Sequence, residues 1–307
     1  MTITVLGVPD SAGAYCVGVE RAPSALRGAG LLDALAAAGN TVHDAGDLTE
    51  RQWAPDREHP RAQNLRDEVE AVVELADAAG HLLADGSKLL VLGGSCTVAL
   101  GMLAAQSRRQ ERPRIIYLDR HLDLNTPEST TEGSLSWMGM AHALALAGTC
   151  RELADATHRA PLLEPADLVY LGVEETQATP WEREQVRMLD LAVVSQAELC
   201  AHPATAARTA WEKLGPGPFV LHLDVDVLDF LDAPIAENVN GRNSGPSIDQ
   251  LEEVLGELWH LDDCRGMSIG QLDPAHARAD PTALPRFIGA LASAMAVTVP
   301  ADTGSGF

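Results

Sequence analysis

The sequence predicts an α/β protein built on a parallel sheet that is covered by helices on both faces. Two observations support this fold class. Short runs of aliphatic and β-branched residues recur along the chain, and their consecutive positions are apolar, as in strands that are buried on both faces. Stretches with helical periodicity lie between these runs, and strands that alternate with helices form parallel sheets.

The elements follow from the apolar pattern. The predicted strands are residues 2–8, 88–92, 114–118, 167–171, 191–194 and 219–223. The predicted helices are residues 62–84, 203–214 and 248–260. In the last of these, apolar side chains recur at helical spacing: Ile248, Leu251, Val254, Leu255 and Leu258.

Two polar segments, residues 50–62 and 230–247, are predicted to be loops. The second directly follows a buried strand and has the length that is typical of functional loops. The sequence contains neither internal repeats nor a linker, so we expect a single domain over residues 1–307. Residues 301–307, at its end, are expected to form a flexible tail.

The composition excludes several function classes. The 307 residues are 46% hydrophobic, which is typical of a globular chain rather than a disordered one. Lys and Arg number 22 against 44 Asp and Glu, so the formal charge is −22 and the isoelectric point is about 4.7. Such an acidic surface repels nucleic-acid phosphates and anionic lipids, and it suits a cationic ligand or a metal. We therefore expect neither nucleic-acid nor membrane partners.

The five cysteines also carry information about the compartment. They are widely spaced, odd in number and form no C-x-x-C pair, which favours reduced thiols over a disulfide framework. The first residues lack a basic segment followed by a long apolar stretch, so no signal peptide is expected. No apolar run approaches the roughly 18 residues of a membrane span. The sequence thus predicts a cytoplasmic protein.

Ionisable residues cluster just beyond two predicted strands. Asp119, His121 and Asp123 directly follow one strand, and Asp224 and Asp226 follow another. In an extended chain each set points to one side, because side chains alternate with period two, and ligands of α/β sheets bind beyond the strands' carboxyl ends. Converging carboxylates need cations near neutral pH, and oxygen ligands with one imidazole suit Mn(II). Each motif alone also occurs in turns and caps, but the two together predict a two-metal site.

These motifs resemble the ureohydrolase superfamily, which comprises arginase, agmatinase, formimidoylglutamase and relatives. The segment 119–127, D-R-H-L-D-L-N-T-P, is similar to the arginase D-A-H-x-D-x-N-T-P segment, and residues 222–229 are similar to its second metal motif. The G-G-S-C segment 93–96 occupies the place of the family's G-G-D-H, and residues 18–23 and 269–274 fall in family order. The resemblance spans essentially the whole chain. It implies a three-layer α/β/α fold with a mostly parallel sheet of about eight strands, and a homo-oligomer that is a trimer or a hexamer.

The resemblance carries six metal ligands over by position, in two overlapping sets. One ion would be bound by Cys96, Asp119, Asp123 and Asp224, and the other by Asp119, His121, Asp224 and Asp226. In the family, two Mn(II) ions share a bridging hydroxide that attacks the guanidinium carbon. The resemblance therefore implies a hydrolase that cleaves a linear C–N bond of a small guanidino-, hydroxyguanidino- or amidine-type metabolite, with Asp123 as the proton acceptor.

Four departures from the family pattern matter: the first three are at Cys96, Ser136 and Gln271, and the fourth is at Glu132 and Gln177. Cys96 replaces a histidine ligand, which shifts the preference from Mn(II) towards Zn(II) or Fe(II) unless the cysteine is inert beside an empty site. Ser136 stands where arginases have a proton-shuttling histidine, and a hydroxyl cannot replace imidazole as a buffer. Gln271 stands where the family has a glutamate that pairs with the guanidinium, so a hydroxyguanidine or a formamide-like group fits better than arginine. The first two changes resemble the arginase-like branch that cleaves Nω-hydroxy-L-arginine.

The remaining predicted substrate contacts are Asn125, Thr126, Glu132, Ser134 and Gln177. By resemblance, the first two line the substrate mouth, whereas Glu132 and Gln177 fall near the positions that hold the amino acid's carboxylate and ammonium. Glu132 would repel a carboxylate, which disfavours a standard L-arginine arginase. The alternatives are a catalytically impaired member with a binding or regulatory role, and a deacetylase-like zinc hydrolase on a related fold.

Arg120, inside the first metal motif, either offsets carboxylate charge or faces solvent. Trp137 is expected to be a pocket wall or a core filler, and His222 a packed or surface group.

Overall fold

The computed structural model describes residues 1–83, 87–240 and 243–297. Within these ranges one eight-stranded, entirely parallel sheet has the strand order β2-β1-β3-β8-β7-β4-β5-β6. The strands are β1 (Thr2–Gly7), β2 (Thr41–Asp47), β3 (Ser87–Leu92), β4 (Ile115–Leu118), β5 (Leu168–Val173), β6 (Ala192–Ser195), β7 (Phe219–Asp224) and β8 (Cys264–Gly270). The predicted α/β fold class is confirmed.

Helices cover both faces of this sheet. They are α1 (Ala22–Gly28), α2 (Leu31–Ala37), α3 (Leu65–Leu82), α4 (Val98–Arg108), α5 (Gly139–Ala143), α6 (Arg151–Ala156), α7 (Pro180–Leu189), α8 (Gln196–Ala201), α9 (Pro203–Leu214), α10 (Ile248–Trp259) and α11 (Ala283–Ala294). No helix in the described ranges combines the length and the apolar character that a membrane crossing requires.

The structure contains all six predicted strands and all three predicted helices. The helix predicted over residues 62–84 is α3, and the other two are α9 and α10. Strands β2 and β8 complete the sheet that the family resemblance implied. Three parts of the predictions lie outside the described residues: position 84, positions 241–242 of the long loop, and the tail over 301–307.

The apolar strands divide their side chains between two core layers. In β3, Leu90 and Leu92 pack into one layer, and Leu89 and Val91 pack into the other. The first layer contains residues of α1, α2, α9, α10 and α11, and the second contains residues of α3, α4, α5 and α6. Because strand side chains alternate, a sheet with helices on both faces needs consecutive apolar residues, which is the pattern that predicted the fold.

Local sequence fixes where α10 begins after the long loop. The Ser247 hydroxyl accepts a hydrogen bond from the Gln250 amide at 3.2 Å, and the Gln250 side chain accepts one from the Ser247 amide at 2.9 Å. This reciprocal capping box satisfies two amides that the helix itself leaves unpaired.

Candidate metal centre

The site is built at the carboxyl ends of four neighbouring central strands, β3, β8, β7 and β4. The loop after β3 carries Cys96 and is held close to other backbone. A Cβ atom on Gly94 would lie 1.5 Å from the Asp10 carbonyl oxygen, so only glycine fits at this position. The Gln271 amide donates to the Gly94 carbonyl at 2.8 Å. The buried Cys96 thiol then donates to Asp224 Oδ2 at 2.8 Å.

The segment after β4 turns instead of continuing as a strand. β4 ends at Leu118, and Asp123 adopts a left-handed conformation with φ of 50°. The expectation that an extended chain aligns Asp119, His121 and Asp123 is therefore wrong. The His121 amide donates to Asp119 Oδ1 at 2.6 Å. This hydrogen bond closes a turn, which an extended chain cannot form. Asp119 and Asp123 nevertheless converge with Cys96, since one ligand atom from each lies within 4.8 Å of the others.

The residues after β7 are also bent. Asp224 ends the strand, and the 3₁₀ turn Val225–Val227 follows, in which the Asp226 amide donates to Asp224 Oδ1 at 2.8 Å. Asp226 Oδ2 lies 3.2 Å from His121 Nδ1, and Asp119 Oδ1 lies 3.4 Å from the same nitrogen. Ligand atoms of these three residues also fall within 4.8 Å of one another. The predicted convergence is present, but loops and turns produce it rather than strand alternation.

The electrostatics of the cluster indicate the chemistry that it suits. Asp119 Oδ2 and Asp226 Oδ1 are buried and accept no hydrogen bond in the described structure. Burial, and next the charge of Asp226, raises the pKa of Asp119 to about 6. Burial also raises the pKa values of Asp123 and Asp224 well above the usual range. Unpaired, buried carboxylate oxygens around one imidazole and one thiol are a donor set that fits divalent cations.

A second layer of polar side chains surrounds His121. Its Nε2 lies 3.2 Å from Gln177 Oε1, so a proton on that nitrogen would be donated to Gln177, leaving Nδ1 directed at the carboxylates. The Asn238 side-chain amide donates from Nδ2 to Asp226 Oδ2 at 3.3 Å. The Trp137 ring stacks on His121 with centroids 6.0 Å apart, in agreement with the predicted pocket wall. Contacts of this kind orient metal-ligating side chains in proteins.

A cleft of about 240 Å³ opens onto the cluster. Its walls include five of the six predicted metal ligands and the two further predicted catalytic residues, Ser136 and Gln271. The side-chain oxygen of Gln271 is buried without a hydrogen-bond partner. The Ser136 hydroxyl lies 2.7 Å from the Ser134 hydroxyl. Sequence reasoning did not single out Glu237 and Asn238, which also line the cleft; the only signal was the length of the loop that contains them.

The other predicted substrate residues are not among the described residues that line the cleft. Asn125 is buried and accepts a hydrogen bond from the Thr179 hydroxyl at 3.3 Å. The Thr126 hydroxyl accepts one from the Ser129 amide at 3.2 Å. Glu132 Oε1 accepts one from the Ser134 amide at 3.0 Å, and its Oε2 is buried without a partner.

The sequence left the surroundings of one histidine and one arginine open, and the structure shows both. His222 is fully buried on β7, where its Nδ1 lies 2.9 Å from the Ser268 hydroxyl and its ring stacks on Tyr117. Arg120 is fully buried as well, and does not face solvent. Its guanidinium donates to the carbonyl of Asp226, to that of Leu228 at 3.1 Å and to that of Ser244 at 2.8 Å. Arg120 therefore ties the loop after β7 to the metal motif.

We expect Arg120→Leu to lower the free energy of unfolding by about 3 kcal/mol or more, because it leaves several buried carbonyl oxygens without donors. Chemical denaturation with circular dichroism measures the change. Arg187→Leu is the control, since Arg187 is exposed on α7, where it forms an ion pair with Glu184, and the change should leave stability unaltered. Equal stability of the two variants would contradict the structural role of Arg120.

The fold and the site together define a class: a three-layer α/β/α protein with an acidic cluster, at the centre of its sheet, that could hold metal ions. The family model described as the Arginase family matches residues 1–291, and the chain belongs to this family. Its homologues are hydrolases of linear C–N bonds. The predicted ureohydrolase resemblance is thereby confirmed.

Individual relatives agree with this assignment. The sequence is 28% identical to arginase-1 of Sus scrofa over 292 residues, covering 89% of this chain and 85% of that protein. The structure is similar to native arginase from Bacillus caldovelox, with a TM-score of 0.84 and 24% identity, covering 97% and 99% of the two chains. It is also similar to a formiminoglutamase from Trypanosoma cruzi solved with Mn²⁺, with a TM-score of 0.72 and 18% identity, covering 96% and 92%. At these identities, the two structural likenesses establish the fold alone.

Proposed function

We propose that the protein is a metal-dependent hydrolase that cleaves a linear C–N bond of a small guanidino-, hydroxyguanidino- or amidine-type metabolite. The observation that carries the proposal is the convergence of one thiol, one imidazole and four carboxylates, in which two buried carboxylate oxygens accept no hydrogen bond in the described structure. The cofactor is two divalent ions, with Mn(II) as the family precedent and Zn(II) or Fe(II) favoured by the cysteine. The cysteine pattern favours a cytoplasmic location, and the family precedent favours a trimer or a hexamer.

The ligands divide between the two ions. Cys96, Asp119, Asp123 and Asp224 would hold one ion, and Asp119, His121, Asp224 and Asp226 would hold the other. Ions bound here supply Lewis acidity, which lowers the pKa of water so that a nucleophile is present near neutral pH.

The chain's own residues then orient the reactants. The Tyr117 hydroxyl donates to Asp123 Oδ2 at 2.5 Å and fixes this carboxylate, whose other oxygen can accept a proton from the attacking water. The unpaired Gln271 oxygen accepts an N–H of the substrate. Ser136 can donate a hydrogen bond to the substrate, but it cannot buffer a proton near pH 7. Because Gln271 is neutral, a less basic group such as a hydroxyguanidine suits this position better than the guanidinium of arginine does.

The test combines metal analysis with a substrate screen. We expect two equivalents of divalent metal per chain, and release of urea, hydroxyurea or ammonia from a compound among arginine, hydroxyarginine, agmatine, guanidinobutyrate and formimidoyl derivatives. The activities of protein samples that are reconstituted separately with Mn(II), Zn(II) and Fe(II) are then compared with one another.

A stable protein that holds no metal and hydrolyses none of these compounds would contradict the proposal. It would favour a binding or regulatory role, to which Ser136 and Gln271 point because each stands where the family carries a catalytic histidine or glutamate. One tightly held zinc with activity on acyl-lysine mimics would instead support the deacetylase-like reaction.

A further inference from the structure

The segment that follows β7 brings a fifth carboxylate to the site. Ala236 forms an isolated antiparallel bridge with Leu272, and the Glu237 amide donates to the Gln271 carbonyl at 2.7 Å. These backbone contacts place Glu237 beside Gln271, just beyond the carboxyl end of β8. The side chains of both residues line the cleft above the metal cluster.

The carboxylate of Glu237 has one weak partner among the described residues. Its Oε1 accepts a hydrogen bond from the Cys16 thiol at 3.4 Å. Over residues 1–83, 87–240 and 243–297, the ion pairs of the structure do not include it. Burial raises the pKa of Glu237, and the nearby charge of Asp226 raises it further, whereas the Cys16 hydrogen bond and the charge of His276 act in the opposite direction. A cation bound beside Glu237 would offset the cost of this burial.

The charge balance of the cleft indicates where such a cation comes from. The four aspartates of the cluster and the Cys96 thiolate would carry five negative charges, against the four positive charges of two divalent ions. Glu237 remains unmatched, and the described walls of the cleft contain neither Lys nor Arg. A cationic ligand would supply the compensating positive charge inside the cleft.

We propose that Glu237 is the anionic partner of a cationic guanidino or amidino group on the substrate, and that it replaces the acidic side chain that the position of Gln271 has lost. This inference rests on the proposed function and identifies the substrate's charge. The two residues divide the recognition: Glu237 supplies the charge-assisted hydrogen bond, and the unpaired Gln271 oxygen accepts a second N–H of the same group. The negative charge lies on Glu237, in the loop after β7, and not on residue 271, which follows β8. The bound cationic group is therefore held from the side of the loop after β7.

The experiment compares n-butylguanidinium with n-butylurea, a neutral ligand of nearly the same shape, on metal-loaded protein. Saturation-transfer NMR measures both dissociation constants and reveals any turnover in the same sample. We expect the wild type to prefer butylguanidinium by about tenfold or more. Glu237→Gln should weaken butylguanidinium binding by about 10- to 100-fold and change butylurea binding by less than about threefold.

Three further variants are matched to this one. Glu237→Asp keeps the charge and should keep the preference in part. Cys16→Ala removes the thiol contact but leaves the carboxylate, and should retain the preference. The double variant Glu237→Gln with Gln271→Glu moves the charge to the neighbouring element and should restore affinity for butylguanidinium.

The inference is overturned if the wild type does not distinguish the ligands, or if Glu237→Gln binds butylguanidinium as tightly as the wild type. An equal loss for both ligands would also overturn it, since Glu237 would then shape the cleft without recognising charge. Failure of the proposed function has a different signature: the wild type would lack metal or fail to hydrolyse every compound of the screen, whatever its charge preference.

Discussion

Asp226→Asn is expected to lower kcat by about 1,000-fold or more while the fold remains intact. One carboxylate oxygen of Asp226 contacts His121, and the other is buried 3.9 Å from Arg120 without a hydrogen bond. A neutral amide of the same size keeps the packing but offers only one oxygen and no charge to a divalent ion. The ion held by Asp119, His121, Asp224 and Asp226 should therefore be lost. Steady-state kinetics on the best substrate of the screen and metal analysis of the purified variant measure both effects.

Asp229→Asn is the control for this substitution. Asp229 is the third aspartate of the same motif, but its side chain accepts a hydrogen bond from the Leu231 amide at 2.9 Å, outside the metal cluster. It should keep two metal equivalents and an activity within about threefold of the wild type. Wild-type turnover in Asp226→Asn, with both ions retained, would contradict a mechanism that depends on two ions.

The two strands without a clear apolar signal show where sequence patterns lose information. β2 is an edge strand whose residues are mostly exposed, so its sequence, T-V-H-D-A-G-D, is polar. β8 is central and buried, but it includes Gly266, where a Cβ atom would lie 2.1 Å from the Leu89 carbonyl oxygen of β3. Glycine is required here because the backbone of β3 lies too close for a side chain. A hydrophobic pattern in the sequence cannot predict such a backbone contact.

The site shows the same limit at the level of single residues. Asp119, His121, Asp123, Asp224 and Asp226 were found because two short motifs each follow a buried strand. Their bent backbone could not be inferred, since the left-handed conformation of Asp123 depends on contacts remote in sequence, such as Met140 and Ala141 donating to its carbonyl. The place of Glu237 in the cleft could not be predicted for a related reason. Its backbone pairs with Gln271, which lies 34 positions further along the chain (271 − 237 = 34).

Cys96→Ser is expected to remove one of the two metal ions. The Cys96 thiol is buried against Asp224, and burial together with the charges of Asp224, Asp123 and Asp119 raises its pKa well above the usual range. A cysteine in such surroundings becomes a thiolate only when a cation binds there, so thiolate formation and metal binding are linked. A serine hydroxyl does not ionise in this range and is a weak ligand. Metal content should therefore fall from two equivalents to about one.

Whether the Cys96 thiolate binds the metal can be measured separately from the number of metal ions per chain. Wild-type protein loaded with Co(II) should show thiolate-to-metal charge-transfer absorption, which Cys96→Ser should lack. Cys96→His should restore the second ion and shift the preference from Zn(II) towards Mn(II), since imidazole is a harder ligand than thiolate. Cys264→Ser is the matched control, because Cys264 is also buried but begins β8 at the opposite end of the strand from Gln271. If Cys96→Ser kept both ions and the charge-transfer band, Cys96 would leave the ligand set, and the loop after β3 would serve only to close the cleft.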